Sequence, residues 1–213
     1  HKRVNEGDKG KYTGWMGAYS PSRLINKELD GKIIEKIIKP TLKGLQDQNI
    51  KYKGFLYAGL MIVNNEPYLI EYNVRMGDPE CQTILPMLYT DLLEIIESTI
   101  DEKLENIEIQ WLGKKSLCVV LCSNGYPDHY EKNIEIKNLN KLNLDKNNYL
   151  FHAGTEKIDE KILAIGGRVL NFTSLSKDYG ESRKNIHENL KKLNWNNGFY
   201  RKDIGHKVID KWE

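Results

Sequence analysis

The sequence predicts an α+β protein, and three observations lead to this fold class. Two strand-like runs, residues 54–63 and 68–73, are joined by a turn-rich linker of hairpin length. Segments with the 3.6-residue period of amphipathic helices lie before and after these runs. From residue 116 onward, further short strand-like runs alternate with turns rich in Gly, Pro and Asn. Antiparallel strands with segregated helices are typical of the α+β class.

The first element is predicted to be a long ordered loop over residues 5–22, because its four glycines follow neither a helical nor an alternating period. A helix that faces the core is predicted from Asn26, with Ile33, Ile34 and Ile37 on one side. Pro40 is expected to kink or restart this helix, which should end near Gly44.

The hairpin is predicted next, followed by helices over residues 81–88 and 91–104 that should cover it. The charge rises and the helical period stops near residue 112, which sets the predicted division into domains 1–112 and 113–213. The second domain is predicted to be β-rich, with strands at 116–123, 149–153, 161–165 and 168–174 and a polar helix at 179–193.

Composition excludes several classes of protein. The 213 residues carry 32 Lys+Arg and 30 Asp+Glu, for a formal net charge of +2. No apolar run approaches the ~20 residues of a transmembrane helix, so we expect no membrane partner. A strongly basic nucleic-acid binder is not indicated, although a salt-dependent interaction with RNA would revive that alternative. The three cysteines show no disulfide or zinc pattern and predict reduced core thiols in a cytoplasmic protein.

A candidate metal site lies on the second strand of the hairpin. Because strand side chains alternate, Glu71, Asn73 and Arg75 share one face. Carboxylate and amide oxygens are ligands that Mg²⁺ prefers, with substrate phosphates and water completing the octahedron. Arg75 could stabilise phosphate charge. The alternative interpretation is an ordinary solvated strand face.

A second candidate site combines acidic and basic groups. Asp78 and Glu80 stand at a predicted helix start, where Asp78 could simply be the N-cap and Pro79 the first helical residue. If this acidic helix start faces a ligand, the ligand should be an amine or a metal. The glycine-rich loop, with Lys2 and Arg3, could receive a phosphate through its backbone N–H groups.

The motifs also resemble a known family. They begin with HKR and TGWMGAYSP, continue through GFLYAGLM and IEYNVRMGDPE, and end with FHAGT, GGRVL and FYRKDIG. Their order and spacing resemble the phosphoribosylamine–glycine ligases, also called glycinamide ribonucleotide synthetases, over almost the whole chain. The resemblance implies the second part of an ATP-grasp domain, an antiparallel sheet with covering helices, followed by a small β-rich C-terminal domain. It covers only the C-terminal half of such a ligase.

The resemblance also implies an activity. Members of this family use ATP to phosphorylate glycine, and 5-phosphoribosylamine attacks the acyl phosphate to give glycinamide ribonucleotide in purine biosynthesis. Carried onto this chain, the expected ligands of Mg²⁺ or Mn²⁺ are Glu71 and Asn73. The expected catalytic residues are Arg75, Asp78 and Glu80. The expected substrate-binding residues are Lys2, Arg3, Gly14 and Gly17.

One departure from the family pattern concerns the glycine-rich loop. The family usually reads Gly-Pro-Asn-Thr-Gly-Gly-Met-Gly where this chain has Lys11, Tyr12 and Trp15. Two alternatives therefore remain: a non-catalytic ligase fragment, or a diverged ATP-grasp carboxylate–amine ligase. Because the amino-terminal half of the enzyme is expected as a partner for ATP binding, the 213 residues are predicted to be folded but inactive alone.

Overall fold

A computed structural model describes residues 1–209, so the last four residues of the predicted domain 113–213 lie outside it. The helices are α1 (Lys27–Ile33), α2 (Lys39–Asp47), α3 (Glu80–Ile84), α4 (Leu92–Ile100) and α5 (Tyr179–Leu193). A π-helical segment, Ile34–Ile38, joins α1 to α2, and short 3₁₀ turns lie at Glu6–Asp8, Leu85–Met87, Leu104–Asn106 and Leu139–Lys141. Within this described part, no helix is long and apolar enough to span a membrane.

The strands are β1 (Arg3–Asn5), β2 (Lys9–Tyr12), β3 (Gly17–Ser20), β4 (Tyr57–Val63), β5 (Glu66–Asn73), β6 (Lys115–Ser123), β7 (Ile134–Glu135), β8 (Asn148–His152), β9 (Thr155–Ile158), β10 (Lys161–Ala164), β11 (Arg168–Ser176) and β12 (Gly198–Phe199). The strand pairs of the sheets are antiparallel. The predicted α+β class is confirmed.

The chain forms two compact units. The sheet unit consists of His1–Ser20, Asp78–Met87 and the chain from Leu112 onward. The hairpin unit consists of Pro21–Gly77 and Leu88–Trp111. Each unit is thus made of segments that are separated in the sequence. The division of the protein into domains 1–112 and 113–213 remains a prediction.

The sheet unit is built around a five-stranded sheet. Strand β6 pairs with β11 on one side, and β11 pairs in turn with β8. On its other side β6 pairs with β3 along Ser116–Val119 and with β12 at Cys122 and Ser123. Helix α5 packs on β6 and β11. The apolar run of β6 is completely buried, as a continuous apolar strand requires, and β7, β10 and β9 form a smaller sheet.

The predicted loop over residues 5–22 is wrong, because the structure forms strands there. Strands β1 and β2 make a small hairpin, and β3 joins the main sheet. Glycines interrupt the alternation of polar and apolar residues in these strands, so the sequence pattern does not reveal them. The strand that pairs with β3 lies about a hundred residues away. Gly17 is required by this pairing, since a Cβ at this position would lie 2.6 Å from the carbonyl oxygen of Cys118.

A buried arginine fixes the β1–β2 hairpin. The Arg201 side chain is 1% exposed and forms a two-bond pair with the Asp203 carboxylate, at 2.7 and 2.6 Å. Its Nη1 donates to Asp8 Oδ1 at 2.9 Å and to the Arg3 carbonyl at 3.0 Å. Burial opposes ionisation of Asp203, but hydrogen bonds from Arg201 and the Gly7 N–H hold its pKa below the ordinary value.

The hairpin unit contains the predicted β4–β5 hairpin, with a two-residue turn. Asn64 and Asn65 have φ of 51° and 60°, as a type I′ turn requires. Helix α1 packs on β5 and is capped by the Asn26 side chain, which accepts from the Leu29 N–H. The helix continues past Pro40 to Asp47, beyond the predicted end at Gly44. A proline cannot donate to the preceding turn, and the π-helical segment widens the helix just before Pro40.

The structure forms a helix in each of the two segments that were predicted to cover the hairpin. The second begins after the Asp91 cap as α4. The first is shorter than predicted, and α3 packs on β3, β6 and β11 of the sheet unit. The structure therefore assigns Asp78–Met87 to the sheet unit, and the predicted cover over the β4–β5 hairpin remains a prediction.

Two of the three predicted core thiols, Cys118 and Cys122, are buried, whereas Cys81 is half-buried. Cys81, Cys118 and Cys122 are all free. Burial raises the pKa of the Cys118 and Cys122 thiols to about 12, so both act as core side chains and not as nucleophiles.

Candidate functional site

The predicted metal ligands share a face of β5. Asn73 Nδ2 donates to Glu71 Oε1 at 3.3 Å, which places both side chains on the same side of the strand. Gly59 lies opposite Glu71 on β4, and a Cβ there would lie 3.1 Å from Glu71 Cγ. The glycine thus leaves room for the carboxylate. Tyr72 points the other way, and its hydroxyl lies 2.5 Å from Thr41 Oγ1 of α2. The predicted alternation is present for Glu71, Tyr72 and Asn73, but β5 ends before Arg75, whose place on this face remains a prediction.

The chemistry of this face suits a hard cation. Glu71 is exposed and offers carboxylate oxygens, and half-buried Asn73 offers an amide oxygen once the amide is turned. Arg75 follows at the end of the strand, exposed, with its Nη1 donating to the Met76 carbonyl at 2.9 Å. A carboxylate and an amide are therefore available to a cation, and a guanidinium is available to a phosphate that the cation binds.

Asp78 is not the helix cap that the sequence allows as an alternative. Pro79 occupies the N-cap position of α3, without a side-chain cap hydrogen bond, and Glu80 is the first helical residue. The Asp78 carboxylate instead accepts from Arg168 Nη2 at 3.0 Å and from Gln82 Nε2 at 3.2 Å. An ion pair has replaced the capping interaction.

Gly14 is held at both of its backbone polar groups. Its N–H donates to the Tyr126 hydroxyl at 2.9 Å, and its carbonyl accepts from Arg168 Nη1. Arg168 therefore contacts both the glycine-rich loop and Asp78, so the structure brings these two predicted site elements together. Arg168 is not among the site residues predicted from the sequence. Its only signal was the GGRVL motif, where Gly166 and Gly167 were interpreted as a turn before a strand.

The other predicted substrate-binding residues lie in different settings. Gly17 is buried in β3, where close packing accounts for it. The Arg3 guanidinium stacks 3.7 Å from the centre of the Tyr12 ring and donates to the Gly10 carbonyl at 2.7 Å. The exposed Lys2 ammonium lies 5.6 Å from the Trp15 ring. Their roles in substrate binding remain predictions.

Trp15 has an unusual backbone conformation. Its φ is 79°, in the left-handed region that favours glycine. Its N–H donates to Thr13 Oγ1 at 3.0 Å, and the following Met16 N–H donates to the His1 carbonyl at 2.9 Å. These bonds stabilise the loop in a conformation that a tryptophan adopts only at a cost in free energy.

A cluster of His1, Asp8 and His206 has ligand atoms within 4.8 Å of one another. Two observations disfavour a metal there. Asp8 already pairs with Arg201 at 2.9 Å and with Lys207 at 3.2 Å. The Gly205 N–H donates to His1 Nε2 at 3.0 Å, which in the neutral ring places the proton on Nδ1, the atom that faces Asp8. Asp8 thus belongs to an ion-pair network with Arg201 and Lys207.

Comparisons with known proteins agree with these motifs. Residues 1–81 match the family model described as phosphoribosylglycinamide synthetase, ATP-grasp (A) domain, and residues 116–207 match phosphoribosylglycinamide synthetase, C domain. A phosphoribosylamine–glycine ligase of Caldanaerobacter subterraneus is 44% identical over 96% of this chain and 48% of its own length. The chain thus spans about half the length of the curated relatives it matches.

Solved structures give the same result. A phosphoribosylamine–glycine ligase from Thermotoga maritima superposes with a TM-score of 0.82 at 33% identity, over 95% of this chain and 49% of the other. A biotin carboxylase from Campylobacter jejuni, solved as a complex with β-γ-ATP, superposes with a TM-score of 0.54 at 14% identity, over 83% of this chain and 38% of the other. This second likeness concerns the fold alone.

Proposed function

Because the chain belongs to the phosphoribosylglycinamide synthetase family, we propose that it forms part of an enzyme that joins glycine to 5-phosphoribosylamine with ATP. The products are glycinamide ribonucleotide, ADP and phosphate, a step of purine biosynthesis. The observation that carries the proposal is the shared face of Glu71 and Asn73 on β5, within a chain that both family models match.

Glu71 and Asn73 would hold Mg²⁺ or Mn²⁺ in this enzyme. Their oxygens fit a hard cation, and two protein ligands suffice where substrate phosphates supply others. Such a cation neutralises charge on the transferred phosphoryl group. Arg75, on the same chain segment, stabilises the same charge through its guanidinium.

The reaction has two steps. A carboxylate oxygen of glycine attacks the γ-phosphorus of ATP, and ADP leaves, which gives glycyl phosphate. The amine of phosphoribosylamine then attacks the acyl carbon, loses a proton and expels phosphate. Asp78 and Glu80 are proposed to bind this amine. The cationic side chains of Lys2 and Arg3 are proposed to bind the sugar phosphate, with Gly14 and Gly17 shaping the loop beside them.

The proposed setting is the cytoplasm, which the three free cysteines of the described chain support. A second candidate is a diverged carboxylate–amine ligase of the same fold with another amine substrate. Trp15 favours it, because a tryptophan in the left-handed region takes the place of the glycine usual in the family.

The proposal is tested with the complete enzyme that contains this segment. Phosphate release is measured in the presence of ATP, glycine and phosphoribosylamine. Glu71→Ala should lower turnover by at least about 100-fold, because charge on the phosphoryl group is no longer neutralised. It should leave the melting temperature almost unchanged, since Glu71 is exposed. Glu156→Ala, on exposed strand β9, is the matched control and should be fully active. Normal turnover of the Glu71→Ala variant would contradict the metal site.

A further inference from the structure

We infer that Arg168 is a positioning residue, which fixes the glycine-rich loop and the Asp78 carboxylate in one arrangement for substrate. The inference rests on the proposed function for the substrate it names. Arg168 itself is not proposed to touch the reacting atoms.

The contacts of the Arg168 guanidinium carry this inference. Nη2 donates to Asp78 Oδ2 at 3.0 Å, and Nη1 donates both to the Asp78 carbonyl at 3.1 Å and to the Gly14 carbonyl. The planar fork of arginine can satisfy three acceptors that a lysine ammonium, a compact point charge on a flexible stem, would not hold in the same geometry. The positions of the loop and of Asp78 therefore depend on the same side chain.

A rigid strand carries this guanidinium. Arg168 begins β11, and its carbonyl accepts from the Gly154 N–H at 2.9 Å. The next residue, Val169, is 1% exposed, and its carbonyl accepts from the Ala153 N–H at 3.0 Å. The FHAGT and GGRVL motifs thus meet, backbone to backbone, at the base of the Arg168 side chain. A site supported by a packed strand is held more accurately than one supported by a loop.

Tyr126 completes the arrangement from the other side of Gly14. Its hydroxyl accepts the Gly14 N–H, while Arg168 binds the carbonyl of the same residue. The peptide groups on both sides of Gly14 are therefore fixed in orientation, next to the exposed Trp15. Fixing a loop before substrate binds reduces the entropy that binding must overcome.

A purely structural ion pair is the competing explanation. The Arg168 and Asp78 side chains are 23% and 44% exposed, and an ion pair so accessible to water contributes little to the stability of the fold. A small effect on stability together with a large effect on the use of phosphoribosylamine would separate the two explanations.

The test compares Arg168→Ala and Arg168→Lys with the control Lys157→Ala, an exposed side chain on β9, in the complete enzyme. We expect Arg168→Ala to lower kcat/KM for phosphoribosylamine by about 100-fold, as misplaced binding groups do, with little change in KM for ATP. Arg168→Lys should remain impaired, and added guanidinium ion should restore part of the activity of Arg168→Ala. Lys157→Ala should behave as the unmodified enzyme.

Hydrogen–deuterium exchange supplies a readout that needs no activity. Amide exchange in the peptide that contains Gly14 should accelerate in Arg168→Ala and in Tyr126→Phe, but not in Lys157→Ala. Absence of ligase activity in the unmodified enzyme would refute the proposed function while exchange still tests the positioning role. Unchanged exchange, an unchanged kcat/KM, or a loss of activity that follows the melting temperature and resists guanidinium would each overturn the inference.

Discussion

The sheet unit and the hairpin unit differ in how far they bury their apolar side chains. Among the described residues, 21 of the 23 buried hydrophobic side chains belong to the sheet unit, and only Leu29 and Ile37 belong to the hairpin unit. Exposure is reversed: 19 of the 23 exposed large hydrophobic side chains lie in the hairpin unit, including Val74 at 75% and Leu93 at 61%. A groove of about 590 Å³ in this unit is lined in part by Leu42, Leu45 and Leu104.

This difference shows that the two units are not equally self-sufficient. The sheet unit closes a core from its own segments. The hairpin unit carries Glu71 and Asn73 but leaves apolar faces open, and open apolar faces of this extent mark surfaces that contact other protein. The proposed metal site therefore belongs to the unit that leaves more of its apolar side chains exposed.

The largest expected effect concerns catalysis by the 213 residues alone. We expect no glycine-dependent phosphate release from ATP, because the chain spans about half the length of its relatives and the hairpin unit leaves its apolar faces open to water. Addition of the separately produced amino-terminal half should restore turnover. Strong activity of the chain alone would contradict the comparison of the two units.

A smaller effect concerns stability, measured by denaturant unfolding of the chain. Leu121→Ala, at 1% exposure in the sheet unit, should lower the free energy of unfolding by about 2 to 5 kcal/mol, because it leaves a cavity in the core. Leu93→Ala, the same change on the open face of α4, should cost less than about 0.5 kcal/mol. Similar costs at the two positions would show that the hairpin unit has a closed core after all.

The smallest expected effect concerns Trp15. Trp15→Gly should raise the free energy of unfolding by up to about 1 kcal/mol, since glycine adopts a φ of 79° without the penalty of a Cβ. Trp15→Ala removes the same ring but keeps the Cβ, so it should not stabilise. If both substitutions destabilise equally, the ring and its contact with Lys2 outweigh the backbone term.

Local patterns predicted those elements whose signals are local. The helix predicted over residues 179–193 is present as α5, with the same bounds. The hairpin predicted from Asn64 and Asn65 between two strand-like runs is present as β4–β5. The alternation of Glu71 and Asn73 likewise needed only the strand period. The resemblance supplied the family, which the comparisons confirm.

Contacts between distant residues could not be predicted in this way. Strand β3 is defined by its pairing with β6, and no period reveals it among the glycines of the loop. Asp78 looked like a helix cap because its true partner, Arg168, lies 90 residues further along the chain. The place of α3 on the main sheet depends on the same long-range packing.

The buried pair of Arg201 and Asp203 also limits when the β1–β2 hairpin can fold during synthesis of the chain. The Gly7 N–H donates to Asp203 across 196 residues, and Asp8 pairs with Arg201 across 193. At about 5 to 20 residues per second, a ribosome needs roughly 10 to 40 s to make the intervening chain. The β1–β2 hairpin, with Lys2 and Arg3, therefore cannot make these contacts until Asp203 has been synthesised, long after the residues of the hairpin unit. The contacts of Gly14 with Tyr126 and Arg168 likewise need residues 112 and 154 positions further along the chain.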